Sequence, residues 1–129
     1  MPVANVTVLT VDDQAVFRRV ARSLIAATPG FVQVGEAASG REALRLAADL
    51  TPDLVLLDVA MPGLDGVETA RQLAGLHPGA VVVLISVDEF PASAATVDAA
   101  ACVRKQDLST GTLRDLWSAH GERNRQGTR

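Results

Sequence analysis

Carboxylates, a hydroxyl and an ammonium group follow the apolar segments of this chain, at positions where they could act together. Asp12 and Asp13 come directly after a first apolar run, and Asp58 ends the run LVLLD. Ser86 and Lys105 stand in the same place after two further runs. A charge at the end of a buried segment needs a partner or a function, because an unpaired charge is costly away from water.

These residue types suit chemistry on a phosphoryl group. Three carboxylates brought together repel one another and resist ionisation, and a bound divalent cation removes that conflict. Oxygen ligands without His or Cys favour Mg²⁺. A lysine neutralises charge on phosphoryl oxygens and a serine donates a hydrogen bond to them. A carboxylate can itself be the nucleophile, which gives an aspartyl phosphate.

The elements that must position these residues alternate between short apolar strands and helices. The predicted strands cover residues 6–11, 31–35, 54–57, 80–85 and 101–104, and the predicted helices cover residues 14–27, 39–50, 65–76, 92–99 and 112–119. Helical spacing predicts that Val16, Val20 and Leu24 form the apolar face of the first helix. Ser39 with Glu42 predicts a capping box for the second helix.

This alternation predicts an α/β fold with a parallel sheet covered by helices on both faces and joined by right-handed crossovers. The linear pattern leaves the order of the strands open. In such sheets ligands bind outside the carboxyl ends of the strands, which is where the polar residues lie. We therefore expect them to converge on one edge of the sheet.

Composition limits the class of protein. The 129 residues suit one domain, with 48% apolar and 21% charged residues. A formal net charge of −3 provides no basic field for nucleic acid or an anionic membrane. The single cysteine, Cys102, excludes an intramolecular disulfide and a zinc site built on cysteines.

The ends of the chain and its apolar runs predict location and domain limits. The N-terminal segment lacks the charged and apolar regions of a signal peptide, and no apolar run approaches the ~20 residues that span a bilayer. We expect a cytoplasmic chain with no membrane partner. The functional domain is expected to cover residues 1–119, with residues 120–129 as a polar tail or the start of a linker.

Four motifs in order carry a family resemblance. They are VDD, LLDVAMPGLDG, LIS and CVRKQD, with 45 residues from Asp13 to Asp58, 28 on to Ser86 and 19 on to Lys105. Over residues 5–119 the sequence resembles a response-regulator receiver domain of two-component signalling. The resemblance implies a flavodoxin-like, five-stranded parallel sheet of order 2-1-3-4-5.

The resemblance also implies roles for individual residues. Asp58 would accept the phosphoryl group from a sensor histidine kinase. Asp12, Asp13, Asp58 and the backbone carbonyl of Ala60 would hold Mg²⁺, with Asp13 as a direct ligand. Lys105 and Ser86 would contact the phosphoryl oxygens. The loop after the acceptor would be shaped by Pro62, Gly63 and Gly66.

Some positions depart from the family pattern. Cys102 occupies the place of an aromatic residue that usually changes rotamer with phosphorylation, and a cysteine has no ring to bury or expose. Val87 stands where a small residue is frequent and could narrow access to Asp58. Ala60 offers no side chain to orient an attacking water, and Gln106 replaces a frequent proline. The switch is therefore expected to be atypical.

Simpler interpretations remain beside these. Asp12 and Asp13 could cap the following helix, Asp58 could form a turn, and Ser86 could be an ordinary strand end. The haloacid-dehalogenase phosphohydrolases also use an aspartate nucleophile with Mg²⁺, but in a DxD pattern after the first strand. A receiver-like interaction module without phosphorylation is the third possibility.

The output of the domain is predicted only in outline. Phosphorylation is expected to favour one arrangement of the loops after the third and fourth strands and of the helix over residues 92–99. The last two helices and the strand between them would then form the surface through which the domain dimerises or docks an effector. The segment KQDLSTGTLRDLW resembles receivers that precede a NarL/LuxR-type DNA-binding domain. We expect either part of a transcription regulator or a stand-alone receiver, with no direct nucleic-acid binding by this chain. Beyond self-catalysed phosphotransfer and dephosphorylation, no enzymatic activity is expected.

Overall fold

A computed structural model describes residues 5–61, 66–88, 90–96, 99 and 101–121 of the chain. Its strands are β1 (Val6–Val11), β2 (Phe31–Ala37), β3 (Leu54–Asp58), β4 (Val81–Ser86) and β5 (Ala101–Arg104). Its α-helices are α1 (Ala15–Ala26), α2 (Gly40–Leu50), α3 (Gly66–Leu76) and α4 (Thr110–Leu116). Short 3₁₀ turns cover Ala92–Thr96 and Lys105–Asp107, and a π-helical turn covers Trp117–Gly121.

The five strands form one parallel sheet in the order β2-β1-β3-β4-β5. This is the flavodoxin-like order 2-1-3-4-5, so the prediction for the fold is confirmed. The pairing register aligns the carboxyl ends of the central strands, because Val11 pairs with Leu57, and Asp58 pairs with Ile85. The residues that follow these strands therefore lie side by side at one edge of the sheet.

The core lies on both faces of the sheet. Strands β3 and β4 are buried at every residue, which explains their continuous apolar sequence. Alternate residues point to opposite faces, so Val55 and Leu57 join a cluster with α2 and α3, whereas Leu54 and Leu56 join a cluster with α1 and α4. The sheet edge is thus held from both sides by packed helices.

The predicted apolar face of α1 is wrong at two of its three residues, because the buried stripe of the helix lies one residue further along the chain. Val16 and Val20 are 73% and 53% exposed, whereas the helix buries Phe17, Ala21 and Ile25. Both sets recur every four residues, so periodicity alone allows either stripe to face the sheet. The stripe with the larger Phe and Ile side chains packs, and two valines remain on the surface.

The helix boundaries are confirmed in part. Ser39 caps α2 by accepting from the Glu42 N–H at 3.2 Å, while the Glu42 carboxylate accepts from the Ala38 N–H at 2.7 Å. The last helix starts two residues earlier than predicted, because Ser109 caps it by accepting from the Thr112 N–H.

Two further differences concern the C-terminal half and the second strand. The helix predicted over residues 92–99 is a 3₁₀ turn at Ala92–Thr96, and residues 97, 98 and 100 lie outside the described part. The second strand continues two residues beyond its predicted end, to Ala37.

None of the helices within the described ranges is long and apolar enough to cross a bilayer.

Candidate functional site

A cavity of about 430 Å³ opens at the carboxyl ends of the strands. Its lining includes Asp13, Gln14, Asp58, Ala60, Ser86, Val87, Asp88 and Lys105. These residues come from the ends of β1, β3, β4 and β5, so the convergence expected from the strand pattern is what the structure has. The register that aligns the strand ends is the physical reason.

Three aspartates form an acidic cluster beside this cavity. Carboxylate oxygens of Asp12, Asp13 and Asp58 lie within 4.8 Å of one another. Asp12 is completely buried, Asp58 is 4% exposed, and Asp13 is exposed. An all-oxygen donor set at this separation fits a hard divalent cation such as Mg²⁺.

Lys105 provides the positive charge of the cluster. Its Nζ lies 2.6 Å from Oδ2 of Asp12 and 3.4 Å from Oδ2 of Asp58. The same Nζ donates to the side-chain oxygen of Gln14 at 3.3 Å and lies 4.4 Å from the centre of the Phe17 ring. The ammonium group is thus held by ion pairs, an amide and an aromatic face, and its side chain is only 8% exposed.

Burial raises the pKa of the Asp12 carboxyl, and the charge of Asp58 adds to that effect. The contact with Lys105 and a hydrogen bond from the Gln14 N–H to Oδ1 at 2.8 Å lower the pKa. One lysine therefore does not fully offset the cost of keeping the buried Asp12 carboxylate charged. A further cation would stabilise its ionised form.

The turn suggested for Asp58 coexists with the cluster. The helix cap suggested for Asp12 and Asp13 does not form, because the N-cap residue of α1 is Gln14, without a side-chain cap hydrogen bond. Asp12 accepts from the N–H two residues on, at the start of α1, and Asp58 accepts likewise from the Ala60 N–H at 2.9 Å. Both carboxylates therefore form Asx-turns with one oxygen. Their second oxygens face Lys105.

Ser86 lines the cavity at the end of β4 and is 3% exposed. Its Oγ accepts from the Asp88 N–H at 3.2 Å. The Ser86 oxygen acts only as an acceptor in this hydrogen bond, so the hydroxyl proton remains available for donation to another oxygen. Val87, the next residue, lines the cavity but is 54% exposed.

Gly66 brings the start of α3 against the end of β3. A Cβ atom at this position would overlap the backbone carbonyl of Asp58 and the Cα of Val59. Only glycine therefore permits this close approach. Pro62 and Gly63, predicted to shape the same loop, lie outside the described residues.

Cys102 does not line the cavity. It lies on β5 with much of its side chain exposed, and desolvation of the part that is covered raises the pKa of its thiol. Its neighbours Ala101 and Val103 pack on the cluster with α1 and α4, so Cys102 faces the opposite side of the sheet. Phe90, an aromatic residue after β4, packs against the other core cluster, which lies with α2 and α3.

Several side chains near the start of α1 and in the loop after β4 contact or line this site and were not predicted. Gln14 and Phe17 contact Lys105, Arg18 donates to the Asp12 carbonyl at 2.6 Å, and Asp88 lines the cavity. Gln14, Phe17 and Arg18 follow Asp12 and Asp13 within six residues, and this closeness in sequence is the signal that could have identified them. Neither their spacing nor their type predicts which atom they contact.

Comparison with known proteins adds to this geometry. The response regulator receiver domain family matches residues 8–113. Response regulator GacA of Pseudomonas viridiflava is 43% identical over 89 residues, which are 67% of this chain and 42% of that protein. A protein-glutamate methylesterase/protein-glutamine glutaminase of Nocardioides sp. is 37% identical over 95 residues, 74% of this chain and 26% of that protein.

A solved structure shows the same arrangement of the chain. A LuxR-family two-component response regulator from Aurantimonas sp. superposes with a TM-score of 0.79 and 29% identity, covering 90% of this chain and 84% of that one. The chain spans less than half the length of the curated relatives described above. The similarity therefore concerns the domain that these proteins share.

Proposed function

The chain belongs to the response regulator receiver domain family, and from this premise we propose that Asp58 accepts a phosphoryl group from a sensor histidine kinase. Receiver domains of response regulators are phosphorylated by such kinases and normally bind Mg²⁺ in an acidic pocket. One observation carries the proposal for this chain: Asp58 lies in a cavity beside Asp12, Asp13 and Lys105, at the edge of the sheet where ligands bind.

Mg²⁺ would be held by the Asp13 and Asp58 carboxylates and the Ala60 carbonyl, with Asp12 completing the acidic environment. The residues fit the ion because they offer oxygen atoms alone, and because Asp12 is buried with one positive partner, Lys105. When bound, the ion supplies positive charge to the oxygens of the transferring group.

The proposed step is an in-line displacement. A carboxylate oxygen of Asp58 forms a bond to phosphorus while the bond from phosphorus to the histidine nitrogen of the donor breaks. The Lys105 ammonium group then pairs with a phosphoryl oxygen, and the Ser86 hydroxyl donates to another. The chain itself is thus a phospho-accepting regulator whose chemistry is limited to this transfer and to loss of the phosphoryl group.

The donor kinase is proposed to dock on α1. A groove of about 340 Å³ adjoins the cavity and shares Lys105 and Val87 with it. The other apolar lining residues are Val16, Phe17 and Val20, and the three valines are more than half exposed. An exposed apolar groove beside the reacting carboxylate is suited to a protein that must place a phosphohistidine there.

For the output we propose a regulator of transcription in which a further domain acts on DNA. Support comes from the segment KQDLSTGTLRDLW and from the similarity to a LuxR-family regulator. The alternative is a receiver that acts through a protein partner, since a methylesterase contains a similar domain. We propose that the signalling surface includes Ala92–Thr96, β5 and α4, and that two copies of the chain associate through it.

The acceptor is tested by the mass of the intact protein after incubation with Mg²⁺ and a small phosphodonor. We expect one acid-labile phosphoryl group on the wild type and on Asp49→Asn, whose carboxylate is exposed on α2, but none on Asp58→Asn. Failure with several donors and with histidine kinases, while Mg²⁺ still binds, would favour an interaction module. Repeated turnover of a phosphomonoester would instead favour a phosphohydrolase.

Association is tested by light scattering and small-angle X-ray scattering at high protein concentration, with and without a beryllofluoride phosphoryl mimic. We expect the mimic to increase the mass of the particle. An unchanged mass and envelope would contradict the proposed dimer.

A further inference from the structure

We infer that Arg18 is a positioning residue for the Mg²⁺ site: its guanidinium holds the main chain at Asp12 and thereby aims the carboxylate of Asp13. The inference rests on the proposed function, because it assumes that the acidic cluster binds the metal ion. Arg18 itself does not line the cavity. It acts through the backbone that carries the ligands.

Each polar atom of Asp12 has its own contact. The N–H donates to the Ala37 carbonyl at 3.0 Å, Oδ1 accepts from the Gln14 N–H at 2.8 Å, and Oδ2 forms the ion pair with Lys105. The carbonyl oxygen accepts from Nη1 of Arg18 at 2.6 Å. Arg18 therefore makes the side-chain contact that orients the peptide after Asp12.

That peptide decides where Asp13 points. The carbonyl oxygen of Asp12 and the N–H of Asp13 belong to one planar unit, so fixing the oxygen fixes the plane in which the next residue begins. Within the described ranges, no hydrogen bond or ion pair restrains the exposed Asp13 carboxylate itself. The direction of this predicted metal ligand thus depends on its main chain, to which Arg18 contributes a side-chain hydrogen bond at the Asp12 carbonyl.

The Arg18 side chain is also held by an ion pair with β2. Its Nε lies 3.6 Å from Glu36 on β2, and its side chain is 22% exposed. Glu36 is fixed in turn by Arg22, with contacts at 2.6 and 3.0 Å, and by Gln33 at 2.8 Å. The guanidinium is thus anchored at one end while it donates a charge-assisted hydrogen bond at the other.

Arg22 provides a matched control on the same helix. It binds the same glutamate through two hydrogen bonds, is 57% exposed, and makes no described contact with Asp12. Arg22→Ala removes a cation from α1 and a contact between α1 and β2, as Arg18→Ala does. It leaves the carbonyl of Asp12 with its donor.

The test is calorimetric titration of Mg²⁺ into the whole chain as wild type, Arg18→Ala, Arg18→Lys and Arg22→Ala. We expect Arg18→Ala to raise the Kd for Mg²⁺ about tenfold, as supporting hydrogen bonds around metal ligands typically do. Arg18→Lys retains a cationic donor and should recover part of the affinity. Arg22→Ala affects Arg18 only indirectly, through Glu36, and should raise the Kd far less than Arg18→Ala does.

A second readout separates positioning from damage to the fold. The rate of phosphorylation by a small phosphodonor, measured against Mg²⁺ concentration, should reach the wild-type maximum in Arg18→Ala. Half-saturation should shift by the same factor as the Kd. Cooperative thermal unfolding establishes that each variant is folded, and if Arg18→Ala does not fold, Arg18→Lys and Glu36→Gln should show smaller shifts in the same direction.

Three results would overturn the inference. An Arg18 variant that binds Mg²⁺ with wild-type affinity shows that the hydrogen bond does not aim the ligand. Equal losses in Arg18→Ala and Arg22→Ala show that packing of α1 on β2 is responsible. A wild-type chain that binds no Mg²⁺ overturns the proposed metal site as well, whereas the first two results leave that site standing.

Discussion

Asp58 shares its surroundings with two other aspartates and with Lys105, the only lysine of the sequence. At the scale of the residue, this imbalance of three negative charges against one positive charge sets the chemistry of the cavity. Lys105 lies closer to Asp12 than to Asp58. A phosphoryl group on Asp58 would therefore compete with Asp12 for the ammonium group, which contacts both carboxylates.

Replacing Lys105 by Met should lower the free energy of unfolding by about 3 kcal/mol in the presence of a chelator, because Asp12 and Asp58 would be buried without a cation. Added Mg²⁺ should raise the unfolding temperature of Lys105→Met more than that of the wild type. Thermal unfolding with EDTA and with excess Mg²⁺ measures both effects. Equal responses to Mg²⁺ would show that the ion and the lysine do not share the same carboxylates.

Gly66 leads to a second prediction at this scale. Gly66→Ala should lower the free energy of unfolding by about 1–3 kcal/mol, because the added methyl group would overlap the backbone at Asp58. Gly75→Ala in the same helix is the control, since a Cβ there has no heavy atom within 4 Å. The control should be neutral or stabilise by up to about 1 kcal/mol. Urea unfolding measures both, and similar effects would contradict the close approach.

At the scale of the element, α1 serves two surfaces. Its buried stripe of Phe17, Ala21 and Ile25 fixes it to the sheet, and its exposed valines line the apolar groove beside the cavity. One helix therefore positions groups around Asp58 and also carries the groove proposed as the kinase-docking surface. The division follows from the register of its two stripes, which are one residue apart.

The exposed stripe can be tested without disturbing the buried one. Val20→Glu should slow phosphotransfer from a histidine kinase about tenfold, the equivalent of about 1.4 kcal/mol, because it places a charge in the groove. Transfer from a small phosphodonor should not change. Ser23→Glu adds the same charge at an exposed position of α1 that does not line the groove, and should have no effect on either donor. Equal slowing with both donors would place the effect at the acceptor instead.

At the scale of the whole molecule, the sheet edge is assembled from segments far apart in the chain. Gln14 and Lys105 are 91 residues apart and in contact, and α1 is tied across to β2 through Glu36. Long-range contacts of this kind make the site depend on the folded state as a whole. The ion pairs of Glu36 are among these contacts, and we therefore expect the free energy of unfolding to depend on pH.

Hydrogen bonding from Arg22 lowers the pKa of Glu36 below its ordinary value. The folded state therefore binds a proton on the Glu36 carboxylate less tightly than the unfolded chain does. The ionised carboxylate stabilises the fold above the ordinary glutamate pKa, and this contribution is lost as the pH falls through the lowered pKa. Wild type should therefore exceed Glu36→Gln in stability at pH 7, and the difference should shrink as the pH falls below the ordinary glutamate pKa.

Urea unfolding of both proteins across this range measures the effect, and high salt should reduce it because Arg22 is exposed. In the double variant Arg22→Ala/Glu36→Gln, little further loss is expected beyond Glu36→Gln alone. A difference between wild type and Glu36→Gln that is constant with pH would show that the ionised carboxylate is not responsible.

The linear order of residues was sufficient for the class of fold and for placing Asp58, Ser86 and Lys105 at one edge of the sheet. Buried runs that end in Asp58 and Ser86 are local features, and the alternation of strands and helices places such ends at one edge of a parallel sheet. The order of the strands came from resemblance to a family and not from periodicity.

The tertiary structure decided what local pattern leaves open. Helical period defines several parallel stripes on α1, and only packing selects Phe17 over Val16 as the buried one. The pairing of Lys105 with Asp12, the bond from Arg18 to the Asp12 carbonyl and the contact of Gly66 with the end of β3 join residues across elements. Residue types and spacings specify which groups are available, whereas distances between atoms are set only when the chain packs in three dimensions.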